Sequence, residues 1–165
     1  MKATTLHPKP ARTSTRFDSL EQEVFLNLWR TYDRLRALED ELFGPFDLTP
    51  QQYNVLRLLR SEHPNQIHTL DLAGRLVSRA PDITRMLDKL EERSLIERDR
   101  PAENRRVVRV GITDEGVALL RAMRDPIREC HKRQLGHLSQ KQLRSLIVLL
   151  HSARLPLESA SSSWL

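Results

Sequence analysis

Arg85 and Lys89 stand four residues apart, with Ser78, Arg79, Pro81, Asp82 and Thr84 immediately before them. On a helix that spacing puts two cations on one face with a hydroxyl beside them, a donor set suited to base edges and phosphates. Arginine can donate to guanine through two N–H groups at once. A second group, Arg100, Asn104, Arg105 and Arg106, falls in or beside a segment of turn composition. An arginine at a hairpin tip has the length and charge to enter a narrow A·T-rich minor groove. Catalytic chemistry finds no comparable grouping. Cys130 is the single cysteine, and no HExxH motif or glycine-rich phosphate loop is present. His131, His137 and His151, three of the six histidines, miss the i, i+4 spacing of a helical metal pair. No enzyme activity, catalytic residue, metal or cofactor is therefore expected.

The elements that must position these residues follow from periodicity. Ser19 and Gln22 have capping-box spacing, and apolar residues from Leu20 to Leu42 recur every three or four positions, which predicts one long amphipathic helix ended by Gly44, Pro45 and Asp47. Thr49, Pro50 and Gln52 start a second helix with Tyr53, Leu56 and Leu59 inward, broken at His63, Pro64 and Asn65. Ile67 and His68 form a very short strand. Thr69 is expected to cap a helix from Leu70 to Leu76 that buries Leu72, Ala73 and Leu76. Ser78 is placed to cap the next, with Pro81 in its first turn and Ile83, Met86, Leu87 and Leu90 as its core stripe to about Arg93. Two short helices joined by a tight turn are the skeleton of a helix-turn-helix.

The period then changes to two. Leu95 to Arg98 and Val107 to Ile112 read as strands around Pro101 to Arg106, a hairpin that makes the preceding helices a winged helix. Thr113 caps a helix through Val117, Leu120, Met123, Ile127 and Cys130 with a kink expected at Pro126. Ser139 and Gln142 open the last helix, through Leu143, Leu146, Ile147 and Leu150. The expected fold is mostly α, a winged helix-turn-helix flanked by dimerisation helices. Residues 1–16 are read as a basic arm, 17–48 as the N-terminal dimerisation helix, 49–113 as the winged domain, 114–155 as the C-terminal dimerisation helices and 156–165 as a flexible tail.

The 165 residues suit one such domain, and aromatics at 5% with five glycines favour helices over a barrel. A net charge of +5 permits a polyanionic partner without requiring one. No apolar run is long enough to span a bilayer and the N-terminus lacks a signal-peptide pattern, so no membrane partner is expected and the cytoplasm is the expected compartment.

From Phe17 to Arg154 the order of elements, and above all ITRMLDKLEERSLIERD (Ile83–Asp99) and RPAENRRVVRVGIT (Arg100–Thr113), resemble the MarR family of bacterial transcriptional regulators. The resemblance implies a homodimer with interlocked terminal helices, each winged domain on one half-site of a pseudo-palindromic double-stranded DNA operator. It also implies repression as the common mode. Relatives often take a small aromatic or phenolic effector, for which Trp29, Tyr32, Arg36, Tyr53 and His63 are the candidate contacts. Two positions depart from the family pattern. Ser94 stands where glycine commonly ends the recognition helix, and Asn104 where an aspartate usually precedes the wing arginines. A reactive thiol at Cys130 is disfavoured, because free cysteine more often fills a core. The competing reading keeps the fold but makes the winged domain a protein-interaction module, with Asp82, Asp88 and Glu92 repelling DNA.

Overall fold

Capping chemistry sets most element boundaries. In the computed structural model, which describes residues 17–77, 82–100 and 107–158, the chain divides into a first unit ending at Arg36 and a second running from Ala37. Helix α1 (Leu20–Phe43) begins where Ser19 Oγ accepts from the Gln22 N–H at 3.2 Å. Within the first unit, Val24, Phe25, Trp29 and Tyr32 are exposed. A short 3-10 turn, Gly44–Phe46, ends the helix, and Asp47 then adopts a left-handed conformation with φ 50°.

In the second unit, α2 (Pro50–Glu62) opens on a reciprocal capping box: Gln52 N–H donates to Thr49 Oγ1 and Thr49 N–H to Gln52 Oε1. Its inward face buries Val55, Leu56, Leu58 and Leu59, a wider stripe than the periodicity suggests, while Tyr53 is only half-buried. Strand β1 (Ile67–His68) leads into α3 (Thr69–Gly74) and, beyond the segment 78–81, α4 (Ile83–Glu92). Strands β2 (Ile96–Asp99) and β3 (Arg109–Ile112) pair antiparallel, with Ile96 opposite Ile112, and β1 adds to the other edge of β3 to give the order β1-β3-β2. Helices α5 (Asp114–Leu135) and α6 (Gln140–Arg154) follow, capped by Thr113 and Ser139 as their sequence contexts predict.

Leu56, Leu59, Leu72, Leu87, Leu90, Val110 and Met123 share one core, so α2, α3, α4, β3 and α5 all turn apolar faces to the same volume. Cys130 belongs to its edge: the thiol donates to the Leu38 carbonyl at 3.6 Å. Burial pushes that thiol above the ordinary cysteine range, with Glu39 reinforcing the shift.

Several expectations need correction. Thr69 does not cap α3; its hydroxyl donates instead to the Val108 carbonyl at 3.2 Å, which ties the helix start to the end of the hairpin. Helix α3 stops at Gly74 rather than Leu76, and Ala73 is exposed because only Leu72 falls on the core side of so short a helix. Strand β3 starts at Arg109 rather than Val107. A 3-10 turn, Leu155–Leu157, follows the last helix. The expected hairpin tip and the arm 1–16 lie outside the described residues.

Two turns carry backbone constraints. Ser94 adopts φ 55°, the left-handed conformation that glycine takes without penalty, at a cost of about 1 kcal/mol for a side-chain-bearing residue. Its carbonyl accepts from Thr113 Oγ1 at 2.6 Å, so the same turn positions the start of α5. Gly116 sits in the first turn of α5 against the backbone of Leu95, whose carbonyl oxygen leaves no room for a Cβ. An alanine inside a helix normally gains about 1 kcal/mol over glycine. Here the clash wins, because the obstacle is backbone and cannot rotate away. Gly116→Ala is expected to lower unfolding free energy by about 1–3 kcal/mol, measured by urea denaturation; an increase in stability would refute the close approach.

Candidate nucleic-acid interface

The outward face of α4 is set by how its inward face is held. Leu87 and Leu90 are buried and Ile83 and Met86 partly so, which leaves Thr84, Arg85 and Lys89 exposed. Asp82 is the N-cap: its Oδ1 accepts from the Arg85 N–H at 2.9 Å. A carboxylate there is favourable against the positive end of the helix.

Two arginines fix the helix from its other sides. Arg98 on β2 reaches across to α4, where Nη1 lies 2.7 Å from Asp88 Oδ1 and Nε donates to Glu91 Oε2 at 2.9 Å, with Nη2 on the same Glu91 oxygen. The hydrogen bonds from Arg98 hold the Glu91 carboxyl below its usual range, and the Glu91 carboxylate raises Arg98 in return. Arg93, the residue after α4, donates through Nη2 to the Phe46 carbonyl at 3.0 Å and through Nη1 to that of Asp47. Strand and turn thus clamp the helix.

The acids of α4 are consequently not free to face a ligand. Asp82 serves the cap and Asp88 and Glu91 serve Arg98, leaving Glu92 as the exposed carboxylate of the helix. Asp88 is a structural pair rather than the solvent-facing group its position on the helix suggests. Arg98 is the structural partner, not a free phosphate contact, because both neighbouring carboxylates take its fork.

Thr84 and Arg100 are brought together: both line a cavity of about 570 Å³ with His68, Asp71, Leu87 and Arg98, between α3, α4 and the strands. Lys89 lies on another side of α4, over a hollow it shares with Thr49, Gln52 and Arg93. Ser78, Arg79, Pro81, Asn104, Arg105 and Arg106 lie outside the described residues.

The expected effector contacts divide between the two units. In the first unit, Trp29 packs against Phe25 with ring centroids 6.1 Å apart, and Tyr32 and Arg36 are exposed. In the second, Tyr53 packs on Phe43 at 5.5 Å, and burial raises its hydroxyl pKa against the opposing charge of Arg57. Exposed His63 is the C-cap of α2 and does not line the cavity at Tyr53. That cavity, about 410 Å³, is instead bordered by Arg57, Arg60, Arg124, Arg128 and His131. None of these five is an effector contact expected from the sequence, although Tyr53, Arg57 and Arg60 at i, i+4 and i+7 carry the signal of one shared helical face. Among the described residues, no group of three or more histidines, cysteines or carboxylates is arranged to hold a metal ion, and no helix is long and apolar enough to cross a membrane.

A profile of the MarR family matches residues 48–108, from the approach to α2 to the residue before β3. Among solved structures, a MarR transcription factor from Planctomyces limnophilus is 55% identical, the match covering 82% of this chain and 98% of that one with a TM-score of 0.67. A MarR mutant from E. coli complexed with operator DNA shares the fold at 24% identity and TM-score 0.71, over 82% and 98% of the two chains. BpsR of Bordetella bronchiseptica, solved in a study of how 6-hydroxynicotinic acid regulates its DNA binding, also shares it, at 22% identity and TM-score 0.72 over 82% and 95%.

The Arg98 clamp has a pH signature. Glu91 is lowered in the folded state, so its contribution is complete above the unfolded glutamate value of about 4.3 and is lost as pH falls through the folded value. Glu91→Gln is expected to reduce stability at about pH 7 and to lose that deficit progressively as pH falls below the unfolded glutamate value and through the lowered folded one. Paired urea melts of parent and variant measure it; a deficit independent of pH would mean that the carboxylate's charge plays no part.

Proposed function

The chain belongs to the MarR family of DNA-binding transcription regulators, and on that premise we propose that it acts as a homodimer in the cytoplasm, each winged domain reading one half of a pseudo-palindromic operator. The observation that carries this reading is the arrangement of α4. Its cations and Thr84 face outward while Asp82, Asp88 and Glu91 are engaged by the cap and by Arg98. A helix so neutralised can approach a phosphate backbone, which counts against the protein-interaction alternative, since two of its three repelling acids are occupied.

In this reading α4 is the recognition helix, with Ser78, Arg79, Pro81, Asp82, Thr84, Arg85 and Lys89 at the major groove. Arg100 is a phosphate contact, and Asn104, Arg105 and Arg106 serve at the minor groove. Residues 17–48 and 114–155 form the dimerisation helices, 49–113 the winged domain, and 1–16 and 156–165 a basic arm and a tail. Dimerisation is supported by α6, where Ile147, Val148 and Leu149 are each more than 60% exposed. Contiguous apolar surface of that kind is unusual on a monomer. Repression answered by a small effector is the mode proposed, by analogy with the BpsR study.

Arg85→Ala is expected to cost about 1–3 kcal/mol on the preferred operator and much less on random DNA. Fluorescence anisotropy on both DNAs at matched salt measures the difference, and equal losses would mean that Arg85 contacts phosphate only. The dimer imposes a spacing rule as well. Half-site centres should lie about 10 base pairs, or a multiple, apart, so inserting about five pairs turns one half-site to the far face of the duplex. Retardation assays on the expanded operator are expected to show loss of tight binding; undiminished affinity would reject the two-fold arrangement.

A further inference from the structure

The end of α1 has no cation of its own. Its last turn holds Asp40 and Glu41 and no basic residue, so carboxylates stand at the negative end of the helix dipole. The carbonyls left over at that end are satisfied in two ways. Those of Phe43 and Gly44 accept locally, from the Leu48 N–H at 3.4 Å and the Asp47 N–H at 3.0 Å. Those of Phe46 and Asp47 accept from Arg93, which stands 47 and 46 residues further along the chain; Nη2 donates to the first at 3.0 Å and Nη1 to the second. A cation hydrogen-bonding the last carbonyls of a helix is favourable, and here another element supplies it. Asp47 Oδ2 also lies 3.8 Å from Nη1, but that carboxylate is 95% exposed and an ion pair so placed holds little. The carbonyls make the joint.

Arg93 is itself fixed at its base. It is the C-cap of α4, and the turn after it closes as a Schellman motif, with the Ser94 N–H donating to the Glu91 carbonyl at 2.8 Å and the Leu95 N–H to that of Leu90 at 3.0 Å. Ser94 takes the left-handed conformation that this motif needs, and Leu95 is buried behind it. The guanidinium therefore links two constrained turns. Arg98 ties α4 to β2, within residues 49–113, whereas Arg93 ties it to residues outside that segment, at the end of α1.

We propose that Arg93 is a positioning residue for operator recognition: by joining the C-terminus of α4 to the end of α1, it fixes the separation of half-sites that the dimer accepts. The assignment rests on the dimeric reading given above. In a two-fold dimer the spacing of the two recognition helices is set by what ties each of them to the dimerisation helices. A slack tie lets each helix follow its own half-site. Arg93 reads no base in this role, because its fork is taken by the two carbonyls.

Selection from random DNA with the full chain supplies the probes: the selected operator, the same operator with one base pair added or removed between its halves, and a duplex carrying a single half-site. One base pair moves a half-site by roughly 3.4 Å and turns it by roughly 35°. By fluorescence anisotropy the parent is expected to lose about tenfold or more on either respaced operator, and Arg93→Gln less than about threefold, while the two bind the single half-site alike. Arg93→Lys, which keeps the charge without the planar fork, should fall between, and keeps the test open should Arg93→Gln fold poorly. Asp47→Asn, which keeps the carbonyl and suits a left-handed residue, should match the parent. Spacing discrimination unchanged in both Arg93 variants would overturn the proposal. Equal losses on every DNA, the single half-site included, would do so too, since they would mean only a weakened α4. Relaxed spacing in Asp47→Asn would overturn the assignment to the carbonyls. A parent that binds all spacings equally refutes the two-fold reading itself, a result distinct from a discriminating parent whose Arg93 variants discriminate as well.

Discussion

The burial of one face of α2 is the constraint from which the second unit follows. Within thirteen residues that helix buries Val55, Leu56, Leu58 and Leu59, and its start is fixed by the Thr49–Gln52 box. Each buried leucine is worth roughly 1.5–3 kcal/mol relative to exposure, far more than any single surface pair in the unit. Once that face is committed to Leu72, Leu87, Leu90, Val110 and Met123, the rotation of α2 is no longer free. The stripe bearing Arg57 and Arg60 must then lie along the edge that meets α5, and the outward face of α4 is decided by the same core.

Apolar burial alone would leave α4 able to shift along its axis, since only Leu87 and Leu90 of its ten residues are fully buried, with Ile83 and Met86 partly so. Arg98 and Arg93 remove that freedom by directional bonds, one to a strand and the other to the turn after α1. Both arginines come from residues that follow the helix in sequence. The chain therefore closes on α4 immediately after making it, and an aligned, partly buried guanidinium is less readily exchanged for water than an exposed lysine would be.

Much of this was legible from sequence, for physical reasons that differ by element. The boxes at Thr49 and Ser139, the caps at Thr113 and Ser139 and the period change after Arg93 are local signals, and each led to an element observed within a few residues of its expected place. The left-handed turn at Ser94 was legible because a glycine is the usual occupant. What sequence could not supply was pairing over distance. Thr69 looks like a cap until the Val108 carbonyl is beside it, and Asp88 looks solvated until Arg98 arrives from the hairpin. The grouping of cations around Tyr53 escaped notice for the same reason: α3, α4 and all three strands lie between the two helices in sequence, and each arginine alone reads as a solvated charge.

Those long-range pairings also divide the arginines of the chain into two kinds. Where an arginine joins two elements for structural purposes, a carboxylate or backbone carbonyl has been placed to receive it, as for Arg75, Arg93, Arg98 and Arg133. Thr84, Arg85 and Lys89 on α4, and the arginines of the α2–α5 groove, face outward without such receivers across from them. A side chain satisfied inside the fold gains nothing from a ligand, because binding would have to break an existing bond before making a new one. Cations left unsatisfied at a defined position have their full interaction available to an anion, at the cost of mutual repulsion when none is bound. The two outward sets therefore stand in the same relation to the core: packing holds each of them in place, with its charge directed to solvent.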